Sequence, residues 1–247
     1  MEYTFKLKHL EELISSDPDY PKIMAEVCGY NNNWIGRKWV FVWKFRQAYA
    51  LMQKYKNLSP KGVEENPNCN IKRPQNIDNI SFMAMMDLQR LSTSNSEDPS
   101  FLLAEMIAKA CYGENVEGDY DSTSEKYLEF REKVLDEPLL DMLGLFNWID
   151  KDLNRSTEFW TQKFAEVHVE DKDFQMAGGD RLDAFNVINT IKTICNDFNL
   201  TYEQAWQMSY SLTQVNSLAK ATTAYVQEQM REIKEARMKR QREQKNY

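Results

Sequence analysis

Apolar residues recur every three or four positions along most of the chain, the spacing of helices that bury one face. Phe5, Leu7, Leu10, Leu13 and Ile14 predict a short helix over 4–15, broken by Asp17-Pro18-Asp19. A second short helix over 21–27 ends at Gly29 and the asparagines that follow it, residues that tolerate a left-handed cap. From Trp34 to Tyr55 two stripes overlap, one through Phe41, Phe45, Ala48 and Met52, the other through Trp39, Val42, Trp43 and Ala50. A helix apolar on more than one face is either central to its domain or covered by a partner.

Residues 58–79 show no period and hold prolines 60, 67 and 74 among repeated asparagines. A stretch this long without an element of its own predicts a linker or an extended interaction arm. Helical spacing resumes with Phe82, Met83, Met86 and Leu91. Asp98 then reads as an N-cap, with Pro99 at the first helical position and Gly113 as the stop. Ser122 with Glu125 reads as a capping box for a helix over 123–135. Residues 136–155 predict a turn and a helix, and Ser156-Thr157-Glu158 the opening of another. Val167 and Val169 alternate with His168 and Glu170, a few residues of strand pattern over 165–170. Asp180 caps a helix carrying Leu182, Phe185, Ile188, Ile191 and Cys195, which Asn199 ends. Thr201 with Gln204 forms a second capping box, and a last helical region runs to the C-terminus with a break near Met208–Ser211.

The pattern predicts a mainly α protein, an irregular multi-helix bundle with long extended loops and at most a short β element. It divides into an N-terminal helical region (1–57), an extended arm or linker (58–79) and a C-terminal helical domain (80–247) with a basic terminal helix. Composition agrees: 8 Gly and 7 Pro in 247 residues are few, as expected where long helices need few turns. A net charge of −7 weighs against nucleic acid as the main partner. No apolar run approaches the roughly 20 residues of a membrane span, and the N-terminus lacks the apolar core of a signal peptide. The four cysteines (28, 69, 111 and 195) have no paired spacing and read as reduced thiols.

Catalytic and metal-binding patterns are few. The two histidines, His9 and His168, and the scattered cysteines do not make a zinc site. Asp119, Asp121 and Thr123 imitate the start of a calcium loop, but Ser124 and Phe130 stand where glycine and glutamate are needed, leaving an acidic turn before a helix. Glu166, His168 and Glu170 would share one face of a strand, an acid–base grouping or a wet polar face. Gly178-Gly179-Asp180 has no phosphate-loop spacing and reads as a turn. No cofactor-binding pattern stands out. The candidates that remain are interaction residues: the aromatic helix with Trp34, Trp39, Trp43, Phe45 and Arg46; the Met-rich segment with Met83 and Met86; and the basic tail with Arg237 and Arg240.

Three segments of the C-terminal half carry a resemblance: DEPLLDMLGLFNWIDKDL (136–153), AGGDRLDAFNVINTIKTICNDFNLTYEQAW (177–206) and the helix ending REIKEARMKRQ. In style they resemble helical proteins from the structural modules of tailed bacteriophages, especially crAss-like phages. The Asn-Leu-Thr-Tyr-Glu-Gln-Ala-Trp element is also similar to tail-assembly chaperones. The resemblance implies no catalytic residues. It implies a neck or tail ring subunit resident in the virion, whose partners are copies of itself and neighbouring virion proteins, or alternatively a chaperone acting in the host cytoplasm and absent from the mature particle.

Overall fold

The computed structural model describes residues 5–10, 63–93, 98–167 and 185–245. It is mainly α, with seven α-helices among the described residues: α1 (Phe82–Ser92), α2 (Pro99–Asn115), α3 (Glu125–Asp136), α4 (Leu139–Ala165), α5 (Asn186–Phe198), α6 (Tyr202–Gln207) and α7 (Tyr210–Lys245). Two 3-10 turns, Leu7–His9 and Ile77–Asn79, complete the list. Strand pairing among the described residues is limited to two isolated bridges, Lys6 with Pro138 and Ser81 with Ser209. Over 165–170, Ala165 closes α4, Glu166 and Val167 form a turn in place of the expected strand, and 168–170 lie outside the described residues.

Helix boundaries follow local chemistry. Asp98 caps α2 by accepting the Phe101 N–H at 3.0 Å, with Pro99 inside the first turn. Thr201 and Gln204 cap α6 reciprocally, at 3.3 and 3.0 Å. Asn199 ends α5 in the left-handed region, φ 52°. Three expectations are corrected. Ser124, not Ser122, caps α3, accepting the Tyr127 N–H at 3.2 Å. Gly113 does not stop α2, which continues to Asn115. No new helix opens at Ser156: α4 is one helix, because its buried stripe of Met142, Leu145, Ile149 and Leu153 runs on through Ser156 to Trp160 at 3–4 spacing. The short polar residue is simply the small member of that stripe.

The chain forms two compact units, residues 1–80 with 84–153, and 81–83 with 154–247. In the first, α2 packs on α3, and the Leu7–His9 turn packs on both. The N-terminus is extended at Phe5 and Lys6 and turns helical from Leu7, while 11–15 of the expected helix lie outside the described residues: the Leu7 N–H donates to Glu137 O at 3.0 Å, and the Leu139 N–H donates to Phe5 O at 2.6 Å. Phe5 and Leu7 are fully buried, and the His9 Nδ1 accepts the Lys6 N–H at 3.1 Å. In the second unit α5 packs on α6 and α7, and Phe82 stacks between Trp206 and Tyr210 at centroid distances of 5.5 and 6.2 Å.

The described part of the expected arm, residues 63–79, is an ordered strap on helices of its own chain. Asn147 Nδ2 donates to Val63 O at 2.9 Å and Asn66 Nδ2 to Asp141 Oδ1 at 2.9 Å. The Arg73 guanidinium lies 4.3 Å from the Trp148 ring centre and pairs with Glu65. The Ile77 N–H donates to Asp152 Oδ2 at 2.8 Å. Ile71, Pro74 and Ile77 face inward and are buried.

Candidate protein interface

The densest cluster of ionisable groups lies inside the first unit. Nine consecutive α2 residues, Ala104–Tyr112, are buried, so the helix is enclosed on every side and its two charges need partners. They find them. Lys109 Nζ lies 3.3 Å from Glu105 Oε2, 3.5 Å from Asp87 Oδ2 and 3.2 Å from the Tyr120 hydroxyl. Tyr120 donates to Asp87 at 2.9 Å, Tyr127 to Glu105 at 2.8 Å, and Arg131 to Glu105 at 3.0 Å. Lys109 also sits 5.0 Å from the Tyr127 ring centre.

Burial pushes the Glu105 carboxyl upward, but the donors Tyr127, Arg131 and Lys109 outweigh it and hold the group below the usual carboxylate range. Burial, and then the carboxylates they bond, raise both tyrosines, so the hydroxyls stay protonated and act as donors. Two carboxylates stand against two cations, most of their polar atoms bond within the cluster, and Arg131 also pairs with Glu132 at 3.0 Å while its Nε is buried without a hydrogen-bond partner. This arrangement ties α1, α2 and α3 together. It was not singled out from sequence, although its signal was there: Glu105 and Lys109, one turn apart, interrupt an otherwise apolar helix.

The strap borders a cavity of about 320 Å³ lined by Glu65, Asn66, Pro67, Cys69, Ile71, Lys72 and Arg73. Its one guanidinium is already neutralised by Glu65. Cys69 and Cys111 are both raised by burial, Cys111 the further, and are poor nucleophiles there. Asp121, from the calcium-like sequence, accepts the Thr123 N–H and hydroxyl at 2.8 and 2.7 Å, a turn ahead of α3. Among the described residues no group of three or more His, Cys, Asp or Glu side chains is placed to hold a metal ion. No helix among them is long and apolar enough to cross a membrane.

The second unit presents surface of another kind. On α7, Leu212, Val215, Val226, Met230 and Ile233 fall within about 60° of arc at 100° per residue, and each is 45–53% exposed. On α5, Ile191 and Ile194 are fully buried, while Ile188, and Phe185 just ahead of the helix, stand 50% and 52% exposed. From Gln229 to Gln241 every side chain of α7 is exposed. An isolated stretch of that length gains little helical stability in water, which normally comes from packing an amphipathic face.

Of the residues singled out from sequence, Trp34, Trp39, Trp43, Phe45 and Arg46 lie outside the described residues, as do His168 and Gly178–Asp180. Met83 and Met86 are half-buried on α1, either side of a fully buried Met85. Arg237 and Arg240 are exposed on α7. Glu166 is taken by Lys163, at 3.0 Å. The exposed apolar faces of α5 and α7 join this set from the structure. The chain matches no family model, no curated protein and no solved structure.

Proposed function

We propose that this chain is a non-enzymatic subunit that works by protein–protein assembly. The observation that carries the reading is the stripe of α7, whose five large apolar side chains each stand about half exposed. They form two apolar patches, Leu212 with Val215 and Val226 with Met230 and Ile233, and grouped apolar side chains held out to water mark surfaces that other proteins cover. The cluster around Glu105 supports the same reading, because the most concentrated charged groups of the described residues bond mainly to one another across packed helices. Combined with the resemblance of the C-terminal half, the setting we favour is a tailed-phage virion, in a neck or tail ring built of copies of this chain and neighbouring virion proteins.

A second reading is a tail-assembly chaperone acting in the host cytoplasm. Met83 and Met86 favour it, since half-buried, adaptable methionines suit varied client segments.

Mass spectrometry of purified mature particles, with the native mass of the isolated protein, separates the two. A ring subunit is present in the particle at fixed stoichiometry and oligomeric when purified. A chaperone is missing from the particle. A protein that is missing from particles, strictly monomeric at high concentration and without affinity for structural proteins overturns both.

A further inference from the structure

Continuing the α7 stripe Val226, Met230, Ile233 by the same spacing lands on Arg237 and Arg240. The face is therefore apolar for two turns and cationic for the next. Arg231, on another side of the helix, is engaged by Glu228 at 2.6 Å and Glu235 at 3.8 Å. Arg237 and Arg240 have no ion-pair or hydrogen-bond partner among the described residues, and both are exposed.

The first unit carries a surface of opposite sign. On the outer face of α3, Glu125, Glu129 and Glu132 follow one another at i, i+4 and i+7 and are exposed, with Leu128, 41% exposed, alongside. Glu132 is engaged by Arg131 at 3.0 Å, whereas Glu125 and Glu129 have no partner among the described residues. Lys126 and Lys133 border the row on the flank away from Leu128. At 1.5 Å per residue the acidic row spans on the order of 10 Å, and the stretch of α7 from Met230 to Arg240 about 15 Å.

We propose that the C-terminal half of α7 docks on the outer face of α3 of a second copy of this chain, Met230 and Ile233 against Leu128, Arg237 and Arg240 against Glu125 and Glu129. This deepens the assembly reading and rests on it. The occupant is a second copy because the two surfaces complement each other in sign and apolar content, and the side chains that form them are exposed. Such a contact joins two different patches, so repetition builds a ring where the rotation closes and a filament where it does not. The charge pairs set register and sign specificity more than affinity, and the apolar contact excludes water around them.

Matched charge exchange on the full chain tests this, in nuclease-treated samples followed by analytical ultracentrifugation. One variant carries Arg237→Glu and Arg240→Glu, the other Glu125→Arg and Glu129→Arg. All four positions are exposed, and circular dichroism checks that helix content is kept. The native chain associates, each variant alone associates at least tenfold more weakly, and an equimolar mixture of the two recovers the native assembly. If the native chain associates but either variant alone matches it, or the mixture stays dissociated, the α7–α3 contact is wrong and the assembly reading survives. A native chain that never associates removes both.

Discussion

The side chain of Asn115 grips both polar groups of the Lys72 backbone. Its Oδ1 accepts the Lys72 N–H at 3.0 Å, and its Nδ2 donates to Lys72 O at 2.6 Å while also reaching Cys111 O at 2.7 Å. One amide at the end of α2 thus acts as the missing neighbour strand for the strap. Aspartate at this position keeps the acceptor and loses the donor, setting a carboxylate against two carbonyls. Asn115→Asp is expected to cost about 1–3 kcal/mol and to speed amide exchange at 69–73 while leaving α5–α7 unchanged. Hydrogen exchange with mass spectrometry reads both.

Gly144 makes the other strap contact that a single atom would break. A Cβ there would meet the Glu64 carbonyl group, with its carbon at 2.9 Å and the Glu65 Cα at 3.0 Å. These are backbone atoms and cannot swing aside. Gly144→Ala is expected to lift residues 63–66 from α4, costing about 1–3 kcal/mol as an overpacked site, and to open the strap to limited proteolysis before the protein unfolds. Unchanged proteolysis would mean that the close approach is not needed to hold the strap.

The buried cluster should dominate the acid stability of the first unit. The folded pKa of Glu105 lies below its unfolded value, so its contribution is fully present above the unfolded pKa and is lost as pH falls through the folded one. Glu105→Gln should therefore flatten the fall in stability below about pH 4.5 and lower stability at neutral pH. Lys109→Met removes the cation shared by Glu105 and Asp87, leaving Glu105 to Tyr127 and Arg131 and Asp87 to Tyr120, and is expected to cost about 3 kcal/mol at pH 7, read from chemical denaturation.

On α5 two neighbouring isoleucines separate folding from association. Ile191 is fully buried and Ile188 is 50% exposed. Ile191→Ala is expected to cost about 2–5 kcal/mol. Ile188→Ser should leave thermal stability of the monomer within about 0.5 kcal/mol and weaken association. Equal destabilisation by both would place Ile188 in the monomer core and remove α5 from the interface.

Local rules were the readable part of this chain. Asp98-Pro99, Thr201 with Gln204, and Asn199 mark helix ends because the groups they satisfy lie within four residues of them. Ser156 misled because a capping residue type also fits, as a small side chain, into the stripe of a helix stabilised by tertiary packing. The strap was visible as an unpatterned segment but not as a packed one. Its anchors, Asn115, Asp141, Asn147 and Asp152, are separated from it by about forty or more residues, and no spacing rule links them. Charges inside an apolar helix, as at Glu105 and Lys109, signal a buried network, though they do not say which tyrosines and which arginine complete it. The basic tail was legible as a charge bias. Its alignment with Met230 and Ile233 on one face emerged only with an unbroken α7.

The central claim is that this chain leaves apolar helical surface for other chains to cover. Sedimentation velocity of the full-length protein across a hundredfold range of concentration tests it most directly. The account predicts a concentration-dependent shift to a defined oligomer, reduced when Val226, Met230 and Ile233 are replaced together by serine with helix content retained. A single monomeric species at every concentration, unchanged by those replacements and accompanied by protection of the α7 amides, would contradict it.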